Sequence, residues 1–293
     1  MSLVIPEKFA TDTIAREGAA GAAWVEELPG RTEALMRRWE LTPDGPIMHG
    51  YVGIVVPVSR DGEPLVLKVS WIDADSEHEA DALAAWDGRG AVRLFDADRS
   101  EGALLLERLQ ARTRLDSLAP DTAIEVAGRL LRRLAIPAPQ WARSLDEMAE
   151  NLREFIPGRW ASLESPFGRP ILDETLSVLG ELIPQRSNLL ANSDLHYENV
   201  LAGRREPWLV IDPKVVGGDL EFATAQLLWQ PFAAIGSRQD LDRRLRILVE
   251  AAELDEQRAR AWTLVRVVDY WLWALEQGFT QDPARCEHLV AWL

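Results

Sequence analysis

A short stretch in the second half of the chain carries side chains that could catalyse phosphoryl transfer to an alcohol. It reads Asn192-Ser193-Asp194-Leu195-His196-Tyr197-Glu198-Asn199-Val200-Leu201, and Trp208-Leu209-Val210-Ile211-Asp212-Pro213-Lys214 follows it. The reaction needs a carboxylate that accepts the hydroxyl proton and oxygen ligands that hold Mg²⁺ against the phosphates. Asp194 suits the first task, and Asn199 and Asp212 suit the second. The stretch therefore predicts a kinase that uses Mg²⁺ and ATP, with Asp194 as its base.

The strength of this pattern lies in its order and not in any single residue. An Asp before a strand is most often a cap or turn residue. Here Asp-x-x-x-x-Asn leads into a short strand, a turn and a second strand that ends in Asp212. The sequence contains no Gly-x-x-x-x-Gly-Lys-Ser/Thr pattern, so a P-loop is excluded as the nucleotide site.

The first half of the chain alternates helix and strand signals. Asp61-Gly62 between two runs rich in β-branched residues is a strong hairpin signal. Thr32 is a candidate N-cap, and Ser76 followed by Glu79 has the pattern of a capping box. The predicted elements are a helix at 32–41, strands at 51–58 and 64–69, a helix at 76–86, and strands at 91–95 and 103–107.

After Leu109 the pattern is mainly helical, because apolar residues recur three or four positions apart. The predicted elements are helices at 121–134, 145–155 and 172–182, a strand pair at 200–201 and 208–211, and helical structure from 223 onwards. This order predicts an α+β fold in which a small mixed lobe precedes a larger helical lobe. The predicted boundaries are 1–108 for the N-terminal lobe and 109–293 for the C-terminal lobe.

From about Trp39 to near its C-terminus, the chain resembles the aminoglycoside phosphotransferase family, in particular the branch of streptomycin 6-kinases and hydroxyurea-resistance kinases. The most specific shared marks are Asp194-Leu195-His196-Tyr197-Glu198-Asn199-Val200-Leu201 and Ile211-Asp212-Pro213-Lys214-x-x-x-Gly218-Asp219. The resemblance implies a protein-kinase-like bilobal fold. A small N-terminal lobe built on an antiparallel sheet would bind ATP, and a larger, mainly helical C-terminal lobe would carry the catalytic loop and the acceptor site.

The resemblance also assigns a role to a lysine in the first lobe. Lys68 would hold the α and β phosphates, and Glu79 would pair with it. A lysine within the apolar run 65–69 needs a partner, because burying its stem also brings the charge towards the core. Glu77 is the alternative partner, and Glu79 is preferred because Ala80 and Leu83 follow it as in the family.

Other nucleotide contacts implied by the resemblance come from the backbone. Gly50 and Gly53 lie in the hairpin that would cover the phosphates. The segment from Glu107 to Leu109 would link the lobes and meet the adenine ring.

Two departures from the family pattern lie close to the predicted base. Asn192-Ser193 stands where the family usually has His-Gly, and Ala223 stands where it usually has an Asp shortly after Gly-Asp. Both positions are interpreted as scaffolding of the catalytic loop. A nucleotide-binding pseudokinase with a regulatory role is therefore one alternative, and a kinase for a metabolite alcohol unrelated to antibiotics is another. A helical interaction protein without nucleotide remains a third.

The charge of the chain bears on its partners. The net charge of −15 repels nucleic acid, whose binding depends on phosphate neutralisation. It would attract a cationic small-molecule acceptor, although acidity can also serve solubility alone. Asp269 and Glu276, on a predicted helix over 260–277, are the candidate acceptor-binding carboxylates, with solvent-facing charge as the alternative. Trp271 and Trp273 either stack on a cation or pack in the core.

The remaining features predict a cytoplasmic protein that is a monomer or a weak dimer. No apolar run approaches the roughly 20 residues that span a bilayer, and the first residues lack the features of a signal peptide. The single cysteine, Cys286, cannot form an internal disulfide.

Overall fold

Two units make up the chain, Met1–Gln110 and Ala111–Leu293. The computed structural model describes residues 3–73, 76–230 and 235–293. The elements of the N-terminal unit are α1 (Glu7–Arg38), β1 (Thr42–Pro43), β2 (Met48–His49), β3 (Gly53–Arg60), β4 (Glu63–Ser70), α2 (Glu79–Trp86), β5 (Leu94–Asp98) and β6 (Ala103–Glu107). The strands form a six-stranded sheet in the order β1-β3-β4-β6-β5, with β2 paired to β3. Every pairing in this sheet is antiparallel.

The central hairpin of this sheet forms at the predicted place. β3 and β4 pair from Gly53 opposite Ser70 to Arg60 opposite Glu63. The turn between them has positive φ at Asp61 and at Gly62, 52° and 80°. A two-residue turn with both central residues in the left-handed region matches the right-handed twist of the flanking strands. The predicted Asp-Gly hairpin is therefore confirmed.

The helices of this unit begin elsewhere than the cap signals predicted. α1 starts at Glu7, and Thr32 is a buried interior residue whose hydroxyl donates to the Leu28 carbonyl oxygen at 2.7 Å. α2 starts at Glu79, while the Ser76 hydroxyl bonds to Asp73 in the preceding turn. Both predicted starts were wrong, because a Ser or Thr side chain bonds equally well to a nearby carbonyl, a turn or a helix end.

The long helix α1 provides the apolar layer that covers the sheet. A backbone break at Gly18, with φ 62° and ψ −136°, lets the helix change direction. One hydrophobic cluster joins α1 to the sheet and includes Phe9, Trp24, Leu28, Leu35, Ile54, Val56, Leu65, Leu67 and Leu105. The N-terminal core thus depends on a helix that lies almost wholly before the first predicted element.

The second unit is mainly helical and carries two small sheets. Its elements are β7 (Gln110–Arg114), α3 (Pro120–Leu134), β8 (Arg143–Ser144), α4 (Leu145–Ser162), α5 (Arg169–Leu182), β9 (Leu189–Asn192), β10 (Val200–Ala202), β11 (Trp208–Val210), β12 (Val215–Gly218), α6 (Thr224–Trp229), α7 (Arg238–Ala252), α8 (Glu256–Glu276) and α9 (Asp282–Trp292). The sheets have the orders β11-β10-β7 and β8-β12-β9. The predicted helices and the β10–β11 pair are confirmed, whereas β7, β8, β9 and β12 were missed.

A buried carboxylate ties several of these elements together. Asp219, directly after β12, is 1% exposed and accepts from the Arg258 Nε on α8 at 2.7 Å. Its other oxygen accepts from the backbone N–H groups of Arg186 and Ser187, before β9, at 2.9 and 2.8 Å. Arg258 also donates to the Leu182 carbonyl oxygen at the end of α5, at 3.0 Å. These contacts hold four parts of the unit at one point: the end of α5, the end of β12, the segment before β9 and the start of α8.

Among the described residues, no helix combines the length and the hydropathy needed to cross a membrane.

Gly53, the first residue of β3, and Gly50, in the turn before it, offer a matched test of how closely the chain packs where β3 begins. A Cβ at Gly53 would lie 2.5 Å from Ser70 Oγ and 2.7 Å from the Val69 carbonyl oxygen, whereas a Cβ at Gly50 meets open space. We therefore expect Gly53→Ala to lower the free energy of unfolding by about 1–3 kcal/mol. Gly50→Ala should change it by less than about 0.5 kcal/mol. Urea denaturation followed by circular dichroism measures both, and equal midpoints for the two variants would contradict the prediction.

Candidate active site

Asp194 lies on the loop between β9 and a 3₁₀ turn over Tyr197–Asn199. Its backbone N–H donates to the side-chain oxygen of Asn192 at 3.1 Å, and Asn192 is 1% exposed. Its carbonyl oxygen accepts from the Asn199 side-chain amide at 3.4 Å. The loop is therefore fastened on both sides of the predicted base by side chains of its own sequence.

The carboxylate of Asp194 is oriented by two other elements. The Gln226 side-chain amide, on α6, donates to Oδ1 at 2.8 Å. The Lys214 ammonium, just before β12, lies 3.5 Å from Oδ2. About a fifth of the Asp194 side chain is exposed, at 21%. Such a group is held in one orientation and can still accept a proton from a bound hydroxyl.

Asn192 and Ser193, two of the residues that depart from the family pattern, take part in holding this loop. Besides the contact from Asn192, the Ser193 N–H and hydroxyl both donate to the Lys214 carbonyl oxygen, at 2.8 and 3.1 Å. Arg266 on α8 donates to the Ser193 carbonyl oxygen at 3.2 Å. Ala223 is buried at the end of a 3₁₀ turn, where its methyl group packs in the core. The Asn-Ser pair therefore supplies loop contacts of its own.

Tyr197 anchors the same loop in the core. It is 2% exposed, and its hydroxyl donates to the Leu227 carbonyl oxygen at 2.7 Å and accepts from Arg244 at 2.9 Å. Burial raises the pKa of Tyr197 to about 12, against a smaller opposing effect of Arg244. The hydroxyl therefore stays protonated at neutral pH and remains a hydrogen-bond donor.

The predicted metal ligands lie beside the β10–β11 pair. The Ile211 N–H donates to the Asn199 carbonyl oxygen at 2.9 Å, so Asn199 and Asp212 sit at the same end of the two strands. Asp212 adopts a φ of 53°, a conformation that costs energy for a residue other than Gly. In the described ranges, no group of three or more His, Cys, Asp or Glu could hold a metal ion. Two oxygen ligands do fit Mg²⁺, which commonly takes its remaining ligands from phosphates and water.

In the N-terminal unit, Lys68 and Glu79 form a buried ion pair. The Lys68 ammonium lies 2.7 Å from both carboxylate oxygens of Glu79, and the residues are 9% and 5% exposed. The alternative partner, Glu77, has its carboxylate 3.4 Å from His78 Nε2. The predicted pair is present, and its role with a nucleotide stays a prediction.

The other predicted nucleotide residues lie in the same unit. The Gly50 N–H donates to the Gly53 carbonyl oxygen at 2.9 Å and closes the turn between β2 and β3. Glu107 ends β6, and its carboxylate accepts from the Arg93 N–H at 3.2 Å. Leu109 follows β6 and is half-buried. Nucleotide contacts by these residues also stay predictions.

A cleft of about 380 Å³ lies beside the loop of Asp194. Its lining residues are Arg159, Gln226, Trp229, Gln230, Arg266, Asp269, Tyr270, Trp273 and Glu276. The Tyr270 ring stacks between Trp229 and Trp273, with centroid distances of 5.1 and 5.5 Å. Trp271, by contrast, is buried against Phe167 at 4.8 Å. Of the two candidate tryptophans, Trp273 therefore faces the cleft and Trp271 packs in the core.

Asp269 and Glu276 both reach this cleft, but a cation of the protein already contacts them. Arg159 on α4 donates to Asp269 at 2.5 Å and to the two oxygens of Glu276 at 2.8 and 3.0 Å. The hydrogen bonds to Glu276 raise the pKa of Arg159, and Asp269 adds to the effect. No sequence pattern indicated this contact, because Arg159 and Glu276 are 117 residues apart.

Gln226, Arg266 and Arg159 are the site residues that sequence reasoning missed. None of them belongs to the predicted catalytic stretch or to another recognised motif. Lys214 did stand out within Ile-Asp-Pro-Lys, but its position beside Asp194 became visible only in the fold.

Comparison with known proteins places these features in a family context. The family model described as aminoglycoside/hydroxyurea antibiotic resistance kinase matches residues 38–278. A hydroxyurea phosphotransferase from Kitasatospora aureofaciens is 41% identical over 288 residues, covering 96% of this chain and 83% of that protein. A streptomycin 6-kinase from Streptomyces glaucescens is 38% identical over 288 residues, covering 96% of this chain and 94% of that protein.

A solved structure shares the fold at low sequence identity. A thermostable mutant of aminoglycoside phosphotransferase APH(4)-Ia, in ternary complex with ADP and hygromycin B, aligns with a TM-score of 0.60 and 16% identity. The alignment covers 89% of this chain and 97% of that one. This likeness concerns the fold alone, and it confirms the predicted protein-kinase-like α+β architecture.

The buried pair in the N-terminal unit makes a prediction about stability. Lys68→Met leaves the Glu79 carboxylate buried without its ammonium partner, so we expect a loss of about 3–5 kcal/mol in the free energy of unfolding. The double variant Lys68→Met/Glu79→Leu should recover part of that loss, because both charges are gone. The control is Lys8→Met, whose pair with Asp12 is exposed and should contribute less than about 1 kcal/mol.

Urea denaturation without nucleotide measures the three variants. Equal midpoints for Lys68→Met and Lys8→Met would show that the buried pair adds no stability. A double variant less stable than Lys68→Met would contradict the assignment of the loss to an uncompensated charge.

Proposed function

The chain belongs to the aminoglycoside/hydroxyurea antibiotic resistance kinase family, and we propose that it transfers the γ-phosphate of ATP to a hydroxyl group of an aminoglycoside such as streptomycin. The observation that supports this proposal best is the setting of Asp194. Its carboxylate is held by Gln226, and the same Gln226 lines the cleft beside it. A hydroxyl group bound in the cleft would therefore meet a fixed proton acceptor.

Asp194 would act as the general base. It would accept the proton of the acceptor hydroxyl as the oxygen attacks the γ-phosphorus, with the bond from phosphorus to the bridging oxygen of ADP breaking. Gln226 and Lys214 would keep the carboxylate in position during this step. Positioning matters here because phosphoryl transfer offers the protein little covalent chemistry beyond orientation and charge stabilisation.

Asn199 and Asp212 would hold Mg²⁺. The ion, when bound, supplies positive charge that offsets the charge of the phosphates. The two side chains offer an amide oxygen and a carboxylate at the same end of β10 and β11, which are ligands that Mg²⁺ accepts. The left-handed backbone at Asp212 is consistent with a functional constraint on the direction of its side chain.

The N-terminal unit would bind the nucleotide. Lys68, oriented by Glu79, would contact the α and β phosphates. The turn of Gly50 and Gly53 would cover the phosphates, and the backbone from Glu107 to Leu109 would meet the adenine. These roles rest on the family resemblance, and the buried ion pair is the structural feature that supports them.

The cleft would bind the acceptor. Its volume of about 380 Å³ falls within the range of about 300–1,000 Å³ that is typical of small-molecule sites. The ring of Trp273 is 40% exposed and offers a flat apolar surface for a sugar or a cation. Hydroxyurea is the second candidate acceptor, because a relative named as a hydroxyurea phosphotransferase is 41% identical.

Asp194→Asn tests the proposed reaction. The variant keeps the size and hydrogen bonding of the side chain but cannot take up the proton, so ATP binding should persist. We expect single-turnover transfer to fall on the order of 10²–10⁴-fold. The matched control is Asp173→Asn on the exposed surface of α5, which should transfer phosphate at the wild-type rate. Transfer from ATP to streptomycin and to hydroxyurea is measured in parallel with nucleotide affinity on the same samples.

The outcomes separate the alternatives. Near-normal transfer by Asp194→Asn would end the assignment of the base. Joint loss of ATP binding and folding would indicate that Asp194 only braces the loop. ATP binding by the wild type without transfer to either compound would favour a pseudokinase or a metabolite kinase.

Asp212→Asn tests the metal site without relying on turnover. Replacing a carboxylate ligand by an amide removes a negative charge from the site, so Mn²⁺ affinity in the presence of a non-hydrolysable ATP analogue should fall by at least about tenfold. Electron paramagnetic resonance of free Mn²⁺ gives this affinity directly. Asn199→Ala should weaken binding in the same assay, and unchanged Mn²⁺ affinity in both variants would refute the site.

A further inference from the structure

The guanidinium of Arg159 lies across the two carboxylates of the cleft wall. It donates to Asp269 Oδ1 and to both oxygens of Glu276, within 2.5–3.0 Å. Asp269 and Glu276 are separated by two turns on one face of α8, with Trp273 between them on the same face. Short contacts between a guanidinium and carboxylates are strong, charge-assisted hydrogen bonds. The carboxylates thus already bind a cation, and that cation belongs to the protein.

This contact sets the charge of the cleft. Four charged side chains are among its described lining residues. Arg159 and Arg266 are positive, and Asp269 and Glu276 are negative. Their formal charges cancel, although the chain as a whole carries −15. Without Arg159 the same wall would be net negative. One side chain therefore decides whether the cleft attracts cations at short range.

Contacts other than those of Arg159 also hold α4 in place. The helix buries Leu145, Ala149 and Ile156, and the indole N–H of Trp160 donates to the Phe167 carbonyl oxygen at 3.0 Å. Arg159 itself lies in the last turn of the helix, and a quarter of its side chain is exposed. Its side chain can therefore turn to solvent without unpacking the helix.

We infer that Arg159 determines how strongly the cleft holds a cationic acceptor, because it competes with the acceptor for Asp269 and Glu276. The inference rests on the proposed function, in which this cleft binds the acceptor. A guanidinium or ammonium group of the acceptor reaches the two carboxylates only after Arg159 has moved away. The contacts that Arg159 then loses make the free energy of acceptor binding less favourable. A neutral acceptor makes no such exchange, so Arg159 leaves its binding unchanged.

The test compares Arg159→Met with Arg129→Met. Methionine keeps most of the apolar stem and removes the charge. In the control, Arg129, which pairs with Glu125 on the exposed face of α3, loses the same charge at a position that does not line the cleft. Streptomycin, which carries guanidinium groups, is titrated by calorimetry with ADP and Mg²⁺ present, so that no turnover is required. We expect Arg159→Met to bind streptomycin about tenfold more tightly than Arg129→Met does, an effect that decreases as salt rises. The KM for hydroxyurea, a neutral compound, should be the same in both variants.

Equal streptomycin affinity in Arg159→Met and Arg129→Met overturns the inference, as does weaker binding in Arg159→Met. Arg159→Gln, which removes the charge with a polar side chain, must tighten binding as well, and it replaces Arg159→Met if that variant is unstable. Arg159→Lys keeps a cation and should stay near the wild type. If no phosphate is transferred to any compound but the charge variants still bind streptomycin more tightly, the proposed function fails and the role of Arg159 stands.

Discussion

The ion pair between Asp219 and Arg258 is the interaction on which the arrangement of the second unit depends. Both residues are almost completely buried, at 1% and 6% exposure. A buried carboxylate is costly unless its lone pairs are satisfied, and here the backbone N–H groups of Arg186 and Ser187 complete the set. Because the pair joins the end of β12 to the start of α8, it sets the distance between the strands that carry Asp194 and the helix that forms the cleft wall.

The loop of Asp194 shows how the side chain of a proposed base is held by parts that have little stability alone. β9 and β12 are four-residue strands, and only a short 3₁₀ turn joins β12 to α6. Asn192, Tyr197 and Gln226 compensate by bonding the loop to itself, to the core and to α6. A carboxylate fixed in this way keeps its orientation while part of its surface remains available to a substrate. The orientation of the carboxylate is therefore set by these side-chain contacts and not by the secondary structure.

Local charge in this protein does not follow net charge. A chain at −15 has an acidic field at long range, which salt screens beyond about 10 Å at 0.1 M. At the cleft, however, Arg159 contacts both carboxylates that would otherwise face a ligand, and Arg159 and Arg266 together cancel their charge. Steering of a cation towards the protein and its retention in the cleft are therefore separate effects, and they depend on different residues.

The sequence by itself determined the stretch around Asp194 that is proposed to be catalytic, the Asp61-Gly62 hairpin, the helical second half and the family. These features depend on residues that are close together in the chain. The hairpin follows from a turn that needs positive φ, the helices follow from a hydrophobic period, and the stretch around Asp194 is recognised by its Asp-x-x-x-x-Asn spacing. It failed where a residue has equivalent local options, as at Thr32 and Ser76, and where strands are too short to show a period, as at β9 and β12. Only the tertiary structure decided that Arg159 meets Glu276 and that Gln226 holds Asp194, because contacts between side chains 117 and 32 residues apart leave no periodic trace in one sequence.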